Sequence, residues 1–208
     1  MRLILLLLSI SSICYSQDTV RLRHKNYTSV YSKSLRYPVL VEWWETRSKT
    51  FCLLPLERKN NFSPDPLLNK DTDVNSSYYK SGLDRGHMSP AASNECSGTQ
   101  VLDESFYFSN IVPQYHDLNA GAWADLEKFS RNLAKKYDSV HVWCGSIGVA
   151  KKIGKVSVPI KCWKVIYISK TKRYIAYIFD NVKGVQQGIK YHEIRKSDLE
   201  KLIKLKIQ

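Results

Sequence analysis

The stretch between residues 105 and 137 constrains the fold more than any other part of the chain. Ser105-Phe106-Tyr107-Phe108-Ser109-Asn110-Ile111-Val112 is rich in aromatic and β-branched residues, and it reads as a buried strand halted by Pro113. The periodicity then changes. Ala122, Leu126, Phe129 and Leu133 fall at i, i+4, i+7 and i+11, one apolar stripe along a helix. Three strand candidates follow: Val140–Cys144, Trp163–Ile168 and Tyr174–Phe179. The last two are joined by Ser169-Lys170-Thr171-Lys172-Arg173, a hairpin connection. Upstream, Pro38–Trp44 has strand character, residues 18–37 read as an irregular polar lead-in, and residues 57–82 read as loop. A last short helix is expected from Ser197, with Glu200 completing a capping box and Leu199, Leu202 and Ile203 facing inward. Antiparallel strands with interspersed helices make this an α+β chain.

Residues 1–16 read as a removable signal peptide. Arg2 gives a positive start, an apolar run opens at Leu3, and Ser16 is a small residue ahead of a cut before Gln17. Ser9, Ser11 and Ser12 interrupt that run well short of the roughly 20 apolar residues a membrane span needs, and stable membrane association is not expected. Residues 17–208 suit one domain with a sizeable core, in a secreted or periplasmic location. The formal net charge of +13 attracts polyanions, whether nucleic acid, acidic glycan or anionic lipid. Cys52, Cys96, Cys144 and Cys162 remain after the signal, an even set that permits disulfides without choosing a pairing. No C-x-x-C pair occurs, which argues against a structural zinc site. Asn26-Tyr27-Thr28 and Asn75-Ser76-Ser77 fit glycosylation acceptors, relevant only to a eukaryotic secretory route.

Asp84-Arg85-Gly86-His87 holds the residues best suited to chemistry. Hydrolysis of a phosphodiester needs an activated water, positive charge on the phosphoryl oxygens and help for the leaving oxygen. His87 can be the base, its ordinary pKa lying near neutrality. Arg85 would point to the same side of an extended segment, its guanidinium fork matching two phosphate oxygens. Gly86 lets a backbone or a substrate come close. These four residues alone also fit a surface turn, and Asn119 alone also fits a helix N-cap.

Asp84-Arg85-Gly86-His87-Met88-Ser89-Pro90-Ala91 resembles the signature of the DNA/RNA non-specific endonuclease family, whose members are ββα-metal nucleases. The similarity continues in order through Asn110-Ile111-Val112-Pro113-Gln114 and through Asn119-Ala120-Gly121-Ala122-Trp123 with Leu126-Glu127, and spans about residues 37–205. The resemblance implies a ββα-metal fold on a mainly antiparallel sheet flanked by helices. It also implies an endonuclease acting on DNA, RNA or both. In that reading His87 is the general base, Arg85 stabilises the transition state and binds substrate, Asn110 orients, and Asp84 and Gly86 are structural. Asn119 would be the direct protein ligand of a hydrated Mg²⁺, with Mn²⁺ as an alternative, and Glu127 would act through a metal-bound water. On one straight helix Asn119 and Glu127 would stand about 12 Å apart. Lys151 and Lys152 are further substrate-binding candidates, Arg47 and Arg58 are candidates for a second phosphate contact, and a homodimer is an open alternative. The competing reading is a non-catalytic binder of nucleic acid or another polyanion that keeps the fold.

Overall fold

The computed structural model describes residues 18–68 and 74–208; the expected signal peptide lies outside the described residues. The polar lead-in is not irregular. It forms a hairpin of β1 (Thr19–Arg23) and β2 (Thr28–Ser32). β1 lies at a sheet edge and buries only Leu22, while β2 buries Ser29 and Ser32 beside its apolar residues. Neither strand therefore carries the apolar alternation by which strands are read from sequence.

After β3 (Tyr37–Thr46) come α1 (Arg47–Thr50), α2 (Asn75–Tyr78), β4 (Asp84–His87), α3 (Thr99–Glu104) and β5 (Ile111–Gln114). The main helix α4 (Trp123–Tyr137) leads into β6 (Ser139–Ile147), a small hairpin of β7 (Lys151–Ile153) and β8 (Val156–Val158), and then β9 (Lys161–Ile168) and β10 (Arg173–Asp180). β11 (Glu193–Ile194) and α5 (Lys196–Ile203) complete the order. Seven strands form one antiparallel sheet in the order β1-β2-β3-β6-β9-β10-β11, and β4 pairs with β5 separately.

The sheet is covered on both faces, which is why β9 is apolar almost throughout. Cys162, Ile166 and Ile168 of β9 join Val140, Val142 and Cys144 of β6 on the inner face, under Trp123, Leu126 and Ala134 of α4. Trp163 and Val165 pack outward with Trp143, Ala176 and Leu199 of α5. In α4 the buried seam is Trp123, Leu126, Ser130 and Ala134, with Phe129 and Leu133 at its margin. Ser130 tolerates burial because its hydroxyl donates to Glu45 Oε2 at 2.8 Å.

Three local expectations change. The strand expected over residues 105–112 starts only at Ile111, after a tight turn at Phe108–Asn110, and it continues through Pro113. Proline is tolerated there because the ladder is just two strands wide, and its carbonyl accepts from Asn181 Nδ2 at 2.9 Å. The last helix starts at Lys196 and has no side-chain cap; Glu200 instead accepts from Lys196 Nζ and from Ile207 N, both at 2.8 Å. Leu202 is exposed rather than packed.

Cys52 pairs with Cys96 across a sequence separation of 44, while Cys144 and Cys162 are buried thiols. Closing a loop of that length is worth roughly 4 kcal/mol in the chain-entropy picture. Reduction should therefore lower the thermal midpoint clearly, and alkylation of denatured, non-reduced protein should label Cys144 and Cys162 but neither Cys52 nor Cys96. An unchanged midpoint on reduction would count against this bond as a stabiliser.

Candidate active site

β4 and β5 pair Asp84 with Gln114, Arg85 with Pro113, Gly86 with Val112 and His87 with Ile111. Alternate side chains of a strand share a face, so Arg85 and His87 project together, and both meet the ring of Phe62. The Arg85 guanidinium carbon lies 5.3 Å from its centroid, and the His87 ring centroid lies 5.5 Å away. Tyr78 flanks Arg85 on another side at 5.2 Å, and Asn75 Oδ1 accepts from Arg85 Nε and Nη2 at 3.1 and 2.8 Å. The fork is thereby held before any substrate arrives. One of the two expected glycosylation asparagines, Asn75, is thus part of this framework.

His87 packs edge-on against Phe106 at 4.9 Å. Burial, reinforced by the positive charge of Arg58, pulls its pKa down to about 3. The ring is neutral at pH 7, and its Nε2 is buried with no hydrogen-bond partner among the described residues. A neutral imidazole is what a general base requires, and the buried Nε2 is closed to water in this conformation. Its backbone carbonyl accepts from Trp123 Nε1 at 3.1 Å, which pins the end of β4 to the first turn of α4. Trp123 is buried core, not a stacking surface for substrate.

Asn110 spends its side chain on the backbone around His87. Its Oδ1 accepts from Ser89 N at 2.8 Å, and its Nδ2 donates to the carbonyls of Ser89 and Ser105 at 2.9 and 2.8 Å. Any orienting effect therefore runs through the chain that leaves β4. Gly86 provides clearance of an unexpected kind: a Cβ there would lie 1.9 Å from Gln114 Oε1. The space serves a protein side chain rather than a substrate.

Asp84 ties the strand to the segment ahead of α4. Its Oδ2 accepts from Asn119 Nδ2 at 2.9 Å and lies 2.8 Å from His116 Nδ1. Asn119 sits in a wide helical turn, Asp117–Ala122, that is broken by non-helical angles at Gly121. A side chain at Gly121 would collide with Gln187, its Cβ standing 2.2 Å from Oε1. Asn119 and Glu127 are therefore not on one straight helix, and the Asn119 side chain holds Asp84 instead of capping α4. With Nδ2 committed, Oδ1 is the end of the amide left to face a cation. Among the described residues no three His, Cys, Asp or Glu side chains group as a metal cage. A single amide oxygen suits an ion that keeps most of its waters, as Mg²⁺ does.

Glu127 follows one turn after Trp123, with its side chain 16% exposed. Burial pushes its carboxyl pKa up, while Lys164, Arg131 and Arg58 oppose that shift. Arg58 thus acts on His87 and Glu127 alike. Glu95 holds it, Nε to Oε1 at 2.6 Å, beside the Cys52–Cys96 bond. Arg58 is the better of the two second-phosphate candidates, since its charge reaches both His87 and Glu127. Sequence reasoning passed over Arg131, whose Nη1 is buried without a hydrogen-bond partner. Its i+4 spacing from Glu127 was the available signal. Lys151 reaches the rim, 5.3 Å over the ring of Tyr115, and Lys152 is exposed beside it on β7.

The sequence profile of the DNA/RNA non-specific endonuclease family matches residues 10–205. Nuclease EXOG, mitochondrial, of Danio rerio is 35% identical over 200 residues, covering 86% of this chain and 57% of the relative. A nuclease of Serratia marcescens is 35% identical over 140 residues, covering 59% of this chain and 52% of that protein. The chain thus spans little more than half the length of these relatives. A crystal structure of an EndoG/EndoGI complex, concerned with EndoG inhibition, superposes with a TM-score of 0.82 at 26% identity, covering 90% of this chain and 84% of that one. The fold is accordingly that of a ββα-metal nuclease, and the chain belongs to the DNA/RNA non-specific endonuclease family.

Proposed function

We propose that this chain is an endonuclease that hydrolyses phosphodiester bonds of DNA, RNA or both without base recognition. The observation that carries the reading is the pairing of a neutral His87 with a pre-set Arg85 on one aromatic wall. The neutral imidazole of His87 takes a proton from water as the water oxygen bonds to phosphorus. The bond from phosphorus to the 3′-oxygen breaks, leaving a 5′-phosphate and, after protonation from solvent, a 3′-hydroxyl. Arg85 neutralises charge on the non-bridging oxygens, with Arg58 and Arg131 as further phosphate contacts and Lys151 and Lys152 along the approach. Asn119 Oδ1 would hold a divalent ion, Mg²⁺ or Mn²⁺, with Glu127 fixing one of its waters. When bound, that ion supplies Lewis-acid charge to the leaving oxygen.

The reading includes residues 17–208 as one nuclease domain acting outside the cytoplasm. The Cys52–Cys96 disulfide supports an oxidising compartment, and no helix among the described residues is long and apolar enough to cross a membrane. Incubating the purified protein with plasmid and with RNA, in Mg²⁺ and again in EDTA, tests the activity. EDTA-sensitive cleavage with ligatable 5′-phosphate ends is expected. Tight binding of nucleic acid without cleavage in Mg²⁺ or Mn²⁺ would replace it with the non-catalytic reading.

A further inference from the structure

Lys164 is a charged side chain to which the mechanism above gives no task. It lies on β9 facing α4 and is 0% exposed. Its Nζ has no hydrogen-bond partner among the described residues. It stands 4.1 Å from the ring centroid of Trp123 and 5.6 Å from that of Trp43, and 4.0 Å from Glu127 Oε1. An ammonium so placed loses its hydration and gains in return two ring faces, one carboxylate and the neighbourhood of the buried Cys144 and Cys162 thiols. A methionine would fill the same space without that cost. The charge itself is therefore the feature to explain.

Glu127 is the acid it serves. The other buried acid nearby, Glu45, is already held by hydroxyls of Ser93 and Ser130. A separation of 4.0 Å is too long for a hydrogen bond, so Lys164 attracts the Glu127 carboxylate without occupying its lone pairs. Arg131 and Arg58 act on the same carboxylate from other elements, but Arg58 has 47% of its side chain exposed and is screened by water. We propose that Lys164 is a positioning residue, a buried fixed counter-charge that holds the Glu127 carboxyl in place without occupying its acceptors. The proposal rests on the reading of Glu127 as the residue that holds a water of the bound cation.

A double-mutant cycle tests it. Lys164→Met should lower kcat by about 30-fold and raise the Mg²⁺ needed for half-maximal rate. In a Glu127→Gln background the same substitution should change either quantity less than about twofold. Urea unfolding of the metal-free proteins gives a second readout. Lys164→Met should lower the midpoint when Glu127 is present and leave or raise it when position 127 is glutamine. Equal losses in both backgrounds would overturn the proposal and make Lys164 a packing residue. If the methionine variant does not fold, Lys164→Gln is carried through the same cycle. An intact protein that cleaves nothing would refute the nuclease reading, and the unfolding cycle would still decide whether Lys164 and Glu127 are coupled.

Discussion

His87→Ala will reduce cleavage of plasmid and RNA by about 10³-fold at saturating Mg²⁺, with the fold retained and nucleic-acid affinity nearly unchanged. The size follows from what the residue supplies. His87 is the neutral imidazole that shares an aromatic wall with Arg85, and the other four histidines are engaged elsewhere: His24 pairs with Asp65, His116 with Asp84, His141 stacks on Trp44, and His192 Nε2 lies 2.7 Å from the Gln186 carbonyl. Affinity should survive because the arginines and the net positive charge, not the imidazole, bind phosphate. Residual activity within tenfold of the intact protein would remove His87 from the role of base.

The depressed pKa of His87 gives the same residue a stability signature. The unfolded chain has a histidine near 6.5, whereas the folded one lies near 3. Above pH 6.5 both states are neutral and the full stability is present. As the pH falls from 6.5 toward 3, the unfolded chain takes up a proton that the folded chain refuses, so stability falls. This one residue sets a slope of at most about 1.4 kcal/mol per pH unit. Urea unfolding between pH 4 and 7 should show that loss, and His87→Gln should flatten it. Activity behaves differently, because a phosphate anion brought beside Arg85 favours the imidazolium that forms during water activation.

Asn119→Ala should produce the second large effect, chiefly on metal dependence. The Mg²⁺ concentration for half-maximal rate should rise at least about tenfold, and kcat at physiological Mg²⁺ should fall by about 10²-fold, with little change in DNA binding measured in EDTA. The variant removes the candidate metal-facing oxygen and also takes away one of the two partners of Asp84 Oδ2, the Asn119 Nδ2 donor at 2.9 Å, leaving His116. Asn119→Asp separates these two roles. It keeps an oxygen toward the cation but places a second carboxylate against Asp84, so it should lose stability near neutral pH and recover it in acid, where one carboxyl is protonated. Wild-type metal dependence in Asn119→Ala would place the cation elsewhere.

Much of this site was visible along the chain because it is built from neighbours. Asp84 through His87 is one short strand, and Asn119 with Glu127 spans one turn and the start of one helix. The period-3.6 stripe located α4, and the strand candidates over 38–44, 140–144, 163–168 and 174–179 fall within β3, β6, β9 and β10. Reading failed where the stabilising partner is remote. Residues 18–37 looked unstructured because an edge hairpin with two buried serines has no apolar pattern of its own, and Ser29 finds its partner in the Ser109 carbonyl. Pro113 looked like a stop because the two-strand width of its ladder is not a local property.

The sequence by itself determined the family and the α+β class and singled out His87, Arg85, Asn119 and Glu127 as candidates, since each lies in a short segment of the family's motifs. Only the tertiary structure decided what surrounds them. Phe62 became the shared wall, Asn75 the holder of Arg85, Arg58 and Arg131 the added charges, Cys52 the partner of Cys96, and Lys164 the buried counterpart of Glu127. Each of the contacts among Asn75 and Arg85, Cys52 and Cys96, and Lys164 and Glu127 closes a loop of ten residues or more. A contact of that kind exists because the fold brings its ends together, and no spacing along the chain encodes it.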